Sequence, residues 1–329
     1  MVLFSPERLP LALALTALAI AFVSASQDIV IDAYRTDVLP EAERGLGAAI
    51  FVMGYRIALL VAGALALILA DHIGWQTTYL IMAGCMTAGM VGTFFGRSPA
   101  ESVSPPVNIR EAVYGAFRDF LSRPSALSFL LFVILYKVGD AYAGALTTTF
   151  LLRGVGFSAT DVGVINKGLG LAATVIGALF GGTLMIKMGL FRSLLAFGIL
   201  QMVSNLSFMV LAWLGKSYPA MVFAVAFENI SSGMGTAAFV AFLMTLCNPR
   251  YSATQFALLS SLSAIGRVLV APTAGYLVEG VGWVVFFFLT TLAALPGLIL
   301  LMRLRQPIIL LTGHQERRVD TGPRKGWGG

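Results

Sequence analysis

Nine apolar stretches, each long enough to cross a bilayer, run through this chain, and several carry a charged side chain near mid-span. A helical crossing needs roughly 20 residues. Stretches near 9–33, 46–70, 76–96, 127–150, 160–186, 191–213, 218–246, 252–278 and 283–302 meet that length. They predict an all-α membrane protein. With 58% hydrophobic and 12% charged residues, the composition excludes a soluble domain. A lone charge at the centre of a membrane helix costs about 2.5 to 3.5 kcal/mol on insertion scales. Asp28, Asp32, Lys137, Asp140, Lys167 and Glu228 are therefore expected to face protein or a wet cavity, which points to a path through the membrane.

The basic residues choose a side. If the chain zigzags, fifteen of them, from Arg35 and Arg44 through Lys187, Arg192 and Arg250 to the last in the tail, fall on one face. Only Arg8, Arg153 and Lys216 fall on the other. Such a bias places the rich face and the carboxy terminus in the cytoplasm. The net charge of +6 then requires no nucleic-acid partner, since anionic lipid heads account for it. Nine crossings that finish inside must start outside, yet residues 1–10 hold no cleavable signal pattern. The expectation is a chain that begins part-way through a longer transporter. Cys85 and Cys247 lie far apart, and His72 and His314 fall in a loop and the tail. No disulfide framework, metal-ligand spacing, cofactor site or enzymatic triad follows from them.

The expected organisation is a partial transmembrane bundle over 1–96, a polar linker over 97–126, a six-helix bundle over 127–302 and a cytoplasmic tail over 303–329. Within the linker, Ile109, Val113, Ala116, Phe117 and Phe120 recur at helical spacing, as in an amphipathic helix lying on the membrane surface. An internal echo sets Tyr55-Arg56, Gly63 to Asp71 and Gly74-Trp75 against Gly266-Arg267, Gly275 to Glu279 and Gly282-Trp283. It aligns spans two and three with spans eight and nine, as parallel halves would. By that register the whole molecule has twelve spans, of which three precede those seen.

Asp28 and Asp32 stand at i and i+4, so their carboxylates share a helical face, with Asp37 extending the acidic line. Closely spaced carboxylates in a partly dry site can take up and release a proton near neutral pH; alternatively, they pair with Arg35, Arg56 or a base on another helix. Lys137 and Asp140, at i and i+3, can neutralise each other, whereas Lys167 has no acid in its span and is the better candidate for a substrate contact. Gln27, Asn166, Glu228 and Asn229 add groups suited to a sugar-like or amphiphilic substrate. Arg56 and Arg267 bring the bases within spans to four, balancing four acids, which suits a structural network equally well. Small residues at Gly163, Gly170, Gly177, Gly181 and Gly182, and again at Ser231 to Gly235, allow close helix packing. Pro272 is expected to kink its helix, as a gating bend or a static one. Gly182 through Lys187 and Gly189 to Arg192 form a short basic turn that resembles the loop signature of the major facilitator superfamily, with Ile186 where that signature has an acid.

The runs Ser26-Gln27-Asp28 through Asp32 to Leu39, Gly54-Tyr55-Arg56, Gly74-Trp75-Gln76-Thr77-Thr78-Tyr79, Gly233 to Asn248 and Ser252 to Ala257 resemble the AmpG muropeptide permeases of Gram-negative bacteria. The likeness covers nearly all of 10–305 and begins at what would be that family's fourth helix. It implies a major facilitator-type bundle in the bacterial inner membrane, acting as a monomer. It also implies proton-driven import of anhydromuropeptides for cell-wall recycling and, in some bacteria, β-lactamase induction. Asp28, and less directly Asp32 and Asp37, match the family's important carboxylates. Another sugar or peptide transporter of the superfamily, or a fragment without transport, stays open as an alternative.

Overall fold

The computed structural model describes residues 10–40, 43–96 and 106–311. Every regular element among them is helical. In hydrocarbon a backbone polar group finds no water, so an apolar run of this length settles into the one local structure that satisfies its own N–H and C=O groups. Helix α1 (Pro10–Val38) is followed by α2 (Arg44–Leu59), which passes through the π-helical turn Leu60–Leu65 into α3 (Ala66–Phe95). After the linker segment Glu111–Gly115 and α4 (Ala116–Leu121) come α5 (Ala126–Leu135) and α6 (Val138–Thr149), then the short α7 (Ala159–Asp161). A π-helical stretch, Val162–Leu169, leads into α8 (Gly170–Met188), and α9 (Leu190–Leu214), α10 (Tyr218–Leu246) and α11 (Ser252–Arg303) complete the bundle.

Among the described residues, eight helices are long and apolar enough to cross a membrane, and the last of them divides in two at Gly282, where φ is 76° and ψ 169°. That gives the nine spans the hydropathy pattern predicts. The first runs to Val38 rather than ending near residue 33. Arg35 is neutralised by Asp32 on its own helix, and so need not terminate it. Pro272 lies within α11 on backbone that stays helical, and the residue that divides the two crossings is Gly282. A proline keeps a helix-compatible φ and forfeits one hydrogen bond, whereas positive φ at this ψ is open only to glycine. The packing partners prove that the chain reverses at Gly282. The first arm of α11 sets Gly266 against Ile134 and Thr273 against Tyr142, while the second sets Trp283 against Phe150, Ala294 against Gly139 and Gly297 against Leu135. One arm thus runs with α5 and α6, and the other returns. Gly74 carries the same geometry, φ 78° and ψ 159°, so the two Gly-Trp positions matched in sequence also match in backbone.

Helices α8 and α10 meet through glycine. A methyl group at Gly177 or Gly233 would run into the Ile230 or Thr174 carbonyl, and one at Gly181 would sit 2.7 Å from Met234 Cα. Gly170, Gly177 and Gly181 of the first stripe thus face α10, and Gly233 of the second faces α8, while Gly182 and Gly235 turn to other neighbours and Gly163 has open space around it. Close backbone approach of this kind is how membrane helices associate without a hydrophobic driving force.

The six-helix body has two apolar clusters. The one at the arginine-rich end includes Phe129, Phe132, Phe242, Phe256, Leu301 and Ile308, so chain beyond residue 303 still packs into the body. The one at the opposite, far end is built on Phe150, Phe208, Met221, Phe286 and Phe287. Ring centroids there stand 4.8 Å apart for Phe150–Phe287 and 5.4 Å for Phe208–Phe287, aromatic contacts worth about 0.5–1.5 kcal/mol each beyond simple burial. Between the two clusters, the α5–α6 break, α9 and α10 carry Lys137, Asp140, Gln201, Asn205, Glu228 and Asn229.

Candidate functional site

That middle layer is where the helix between α5 and α6 breaks. Lys137 adopts φ −101° and ψ 0°, and the interruption carries Tyr136, Lys137 and Asp140 into the bundle. Tyr136 stacks on Phe239 with centroids 5.4 Å apart and donates its hydroxyl to the Leu194 carbonyl at 2.9 Å. Lys137 Nζ lies 3.3 Å from Asp140 Oδ2 and donates to Thr236 Oγ1 at 3.2 Å. Gln201 Nε2 donates to the same Asp140 oxygen. Gly235 makes this possible, because any Cβ there would occupy the Gln201 amide. Side chains of the α5–α6 break, α9 and α10 thus meet around one ion pair.

Glu228 stands two turns before Thr236 on α10 and feels the charges of Asp140 and Lys137 in the body and of Arg56 on α2. Among the described residues it makes no hydrogen bond and no ion pair. Arg56 Nε is likewise buried without an acceptor among them. An acid and a base on opposite sides of the bundle are held near each other and left unjoined. Such a gap can admit a proton or a polar solute.

The other expected substrate contacts separate into two groups. Asn166 and Lys167 both reach Thr148 Oγ1, at 3.4 and 3.3 Å, on the π-helical stretch toward the far end. Asn229 is occupied in packing: Thr174 donates to its Oδ1 at 2.9 Å while its Nδ2 donates to the Val225 carbonyl at 2.9 Å, bridging α8 and α10. Gln27 and Asp28 lie on the exposed stretch of α1, away from the central cluster, and Arg267 is also exposed. Thr148, Thr174 and Thr236 have central parts that sequence reasoning missed. Threonines in these helices mostly bond back to their own carbonyls, as Thr147 does to Ala143 at 2.7 Å, and nothing in the pattern marks the exceptions.

A second polar cluster closes the arginine-rich end. Arg35 pairs with Asp32 at 2.8 Å, its guanidinium 3.9 Å from the Phe51 ring centroid and 5.1 Å from that of Phe256. Ser252 donates to Asp37 Oδ2 at 2.9 Å, and Arg44 Nη1 to Thr245 Oγ1 at 3.2 Å. These contacts fasten α1 and α2 to α10 and α11. Beside them Gly182 lies against Gly45 and Ala49, so α2 packs on α8 over the same few turns. Two residues past Val52, Gly54 is exposed and has nothing within 4 Å of its Cβ position. Lys187 and Arg192 are exposed on the one-residue turn at Gly189, whose φ of 76° lets α8 pass directly into α9. The expected pair of acids on α1 is therefore divided. Asp32 is committed to Arg35, and Asp28 has no partner among the described residues.

A sequence model of the Major Facilitator Superfamily matches residues 1–271. The chain is 54% identical over 297 residues to the Anhydromuropeptide permease of Escherichia coli K12, covering 90% of this chain and 60% of that protein. An uncharacterized protein of Haemophilus influenzae is 39% identical over 303 residues, 87% of this chain and 70% of its own length. Putative transporter AmpG 4 of Rickettsia felis is 37% identical over 314 residues, 92% of this chain and 75% of its own. The chain thus spans about 60% of the length of the Escherichia coli relative.

Proposed function

This chain belongs to the major facilitator superfamily, within it to the AmpG-type permeases, and we propose that it imports anhydromuropeptides across the bacterial inner membrane, driven by the proton gradient. The arginine-rich end then lies in the cytoplasm, as the positive-inside bias predicts. The contacts of α1 and α2 with the six-helix body described above, Asp37 to Ser252, Arg44 to Thr245 and Gly45 to Gly182, gather at that end, which supports a carrier open to the periplasm. The carrying observation is the mid-depth cluster in which Glu228 faces Arg56, Lys137 and Asp140 without a hydrogen-bonded partner.

A disaccharide-peptide offers hydroxyls, amides and carboxylates. Lys137, Asp140 and Glu228 supply both signs of charge at mid-depth, and Asn166 and Lys167 line the approach from the far end. Gln27 adds an amide on α1. Coupling falls to the acids: Asp28, Asp32 and Asp37 on α1, to which the family likeness points, with Glu228 as the uncommitted carboxylate across from Arg56. Protonation from the periplasm weakens Glu228's hold on Arg56. Substrate then bridges the two sides, and release of the Asp32–Arg35 and Asp37–Ser252 contacts opens the cytoplasmic end. Arg56, Gly182, Lys187, Gly189, Arg192, Arg267 and Pro272 keep a gating or structural part in this scheme.

The test is uptake of labelled anhydromuropeptide into membrane vesicles with and without an imposed pH gradient. Accumulation that collapses with the gradient supports the proposal. Uptake that ignores the gradient points to a facilitator of the same superfamily, and absence of uptake sinks the transport reading.

A further inference from the structure

The linker segment presents two adjoining surfaces that transport does not use. On one side lies a recess of about 600 Å³ whose wall carries Arg110, Tyr114 and Arg118, spaced i, i+4 and i+8, with Tyr251 opposite. On the other lies an apolar slot of about 290 Å³ between Phe117, Leu121 and Leu130 on one side and Leu258 and Leu262 of α11 on the other. Phe117 and Arg118 are neighbours in sequence, about 100° apart around the helix, so the slot and the recess adjoin.

The charges in the recess do not cancel. Glu111 is committed: it accepts the Val107 N–H at 2.9 Å and pairs with Arg250. Those bonds hold its carboxyl below the usual range, the Val107 bond foremost. Burial pushes the Asp119 carboxyl up, but bonds from Gln255 at 2.8 Å, from Arg123 and from Asn248 at 2.9 Å outweigh it and hold it below the usual range. Each acid is thus balanced by a partner arginine. Arg110 and Arg118 make no ion pair or hydrogen bond among the described residues, and both are exposed. Two uncommitted guanidiniums flank a pair of tyrosines, a donor set that suits a phosphodiester.

We propose that recess and slot together hold one anionic glycerophospholipid, its phosphate against Arg110 and Arg118 and an acyl chain in the slot beside Leu258 and Leu262. A free phosphate would leave the slot empty. The flanking apolar side chains agree with a lipid occupant: Val107, Ile109 and Leu127 are 86%, 83% and 75% exposed around the same segment. Seated this way, the linker lies in the plane of the membrane surface, its basic face at headgroup level and its apolar face toward the chains.

Native mass spectrometry of the full chain released from detergent micelles tests this, with phosphatidylglycerol, phosphatidylethanolamine and inorganic phosphate as probes. The expected result is a one-to-one phosphatidylglycerol adduct favoured by about tenfold over phosphatidylethanolamine. R110Q/R118Q lowers it to the phosphatidylethanolamine level, and R303Q, on the same end, leaves it unchanged. L258N weakens the adduct through the slot alone. A phosphatidylglycerol adduct that survives R110Q/R118Q overturns the proposal, as does its displacement by millimolar inorganic phosphate, which would mark a free-anion site. Should the double variant fail to fold, R118Q decides in the same sense.

Discussion

The mid-depth cluster and the arginine-rich closure are both made of acids, bases and aromatic rings, yet they spend their charges differently. At the closure, Asp32 and Asp37 each have a partner, and the Arg35 guanidinium lies between Phe51 and Phe256. At mid-depth, Lys137, Asp140 and Gln201 form one satisfied knot, and Glu228 is left facing it. Partnered acids resist opening, even though Arg35 keeps Nε and Nη1 buried without an acceptor among the described residues. An unsaturated carboxylate has bonds still to make, which is the condition for a site that must bind and let go. The closure is thus built to hold a state and the middle to exchange a ligand.

Substitutions break or sharpen this contrast. The largest expected effect is K137M, which leaves Asp140 with an uncompensated charge at mid-depth. It should cost about 3 kcal/mol of stability, the low end for a broken ion pair because both side chains keep about a fifth of their exposure. The double variant K137M/D140L should recover most of that in a thermal melt, and equal losses would show that the pair is not a unit. E228Q should leave the melt unmoved and lower gradient-driven uptake about 100-fold, close to 2.7 kcal/mol. A stability loss with normal uptake would turn the contrast around. F256A removes one ring from Arg35 and should cost about 1–2 kcal/mol of closure, read as faster labelling of a cysteine placed on the arginine-rich end. S252A removes Asp37's hydrogen bond, and about 1 kcal/mol is expected in the same assay.

Acid should act weakest on stability, and at the linker through two carboxylates. Asp119 and Glu111 have folded pKa values below their unfolded ones, so the stability they contribute is fully present above about pH 5 and drains away as the pH falls through the folded values. Linker protection from proteolysis should therefore hold from neutral pH down to about pH 5 and decline below it.

Much of this was legible in the chain itself. Span number and the i, i+3 relation of Lys137 and Asp140 follow from local periodicity, and the two small-residue stripes are visible as composition. What was not legible depends on which helix meets which. Nothing local says that Phe256 reaches Arg35, that Gln201 reaches Asp140, or that Asn229 is consumed by Thr174. Asp28 and Asp32 share a face by spacing, but the presence of Arg35 three residues on separates their chemistry. The span bounds place the turn near Gly282, but nothing in the sequence says that this one residue makes it.

The reversal at Gly282 turns two membrane crossings around on a single residue. An antibody epitope, a protease or an inserted tag finds no slack there, and lengthening that corner would loosen Trp283 from Phe150 before it reached water. The two crossings joined there both lean on α5 and α6, so a shift of that pair would be met by both arms of α11.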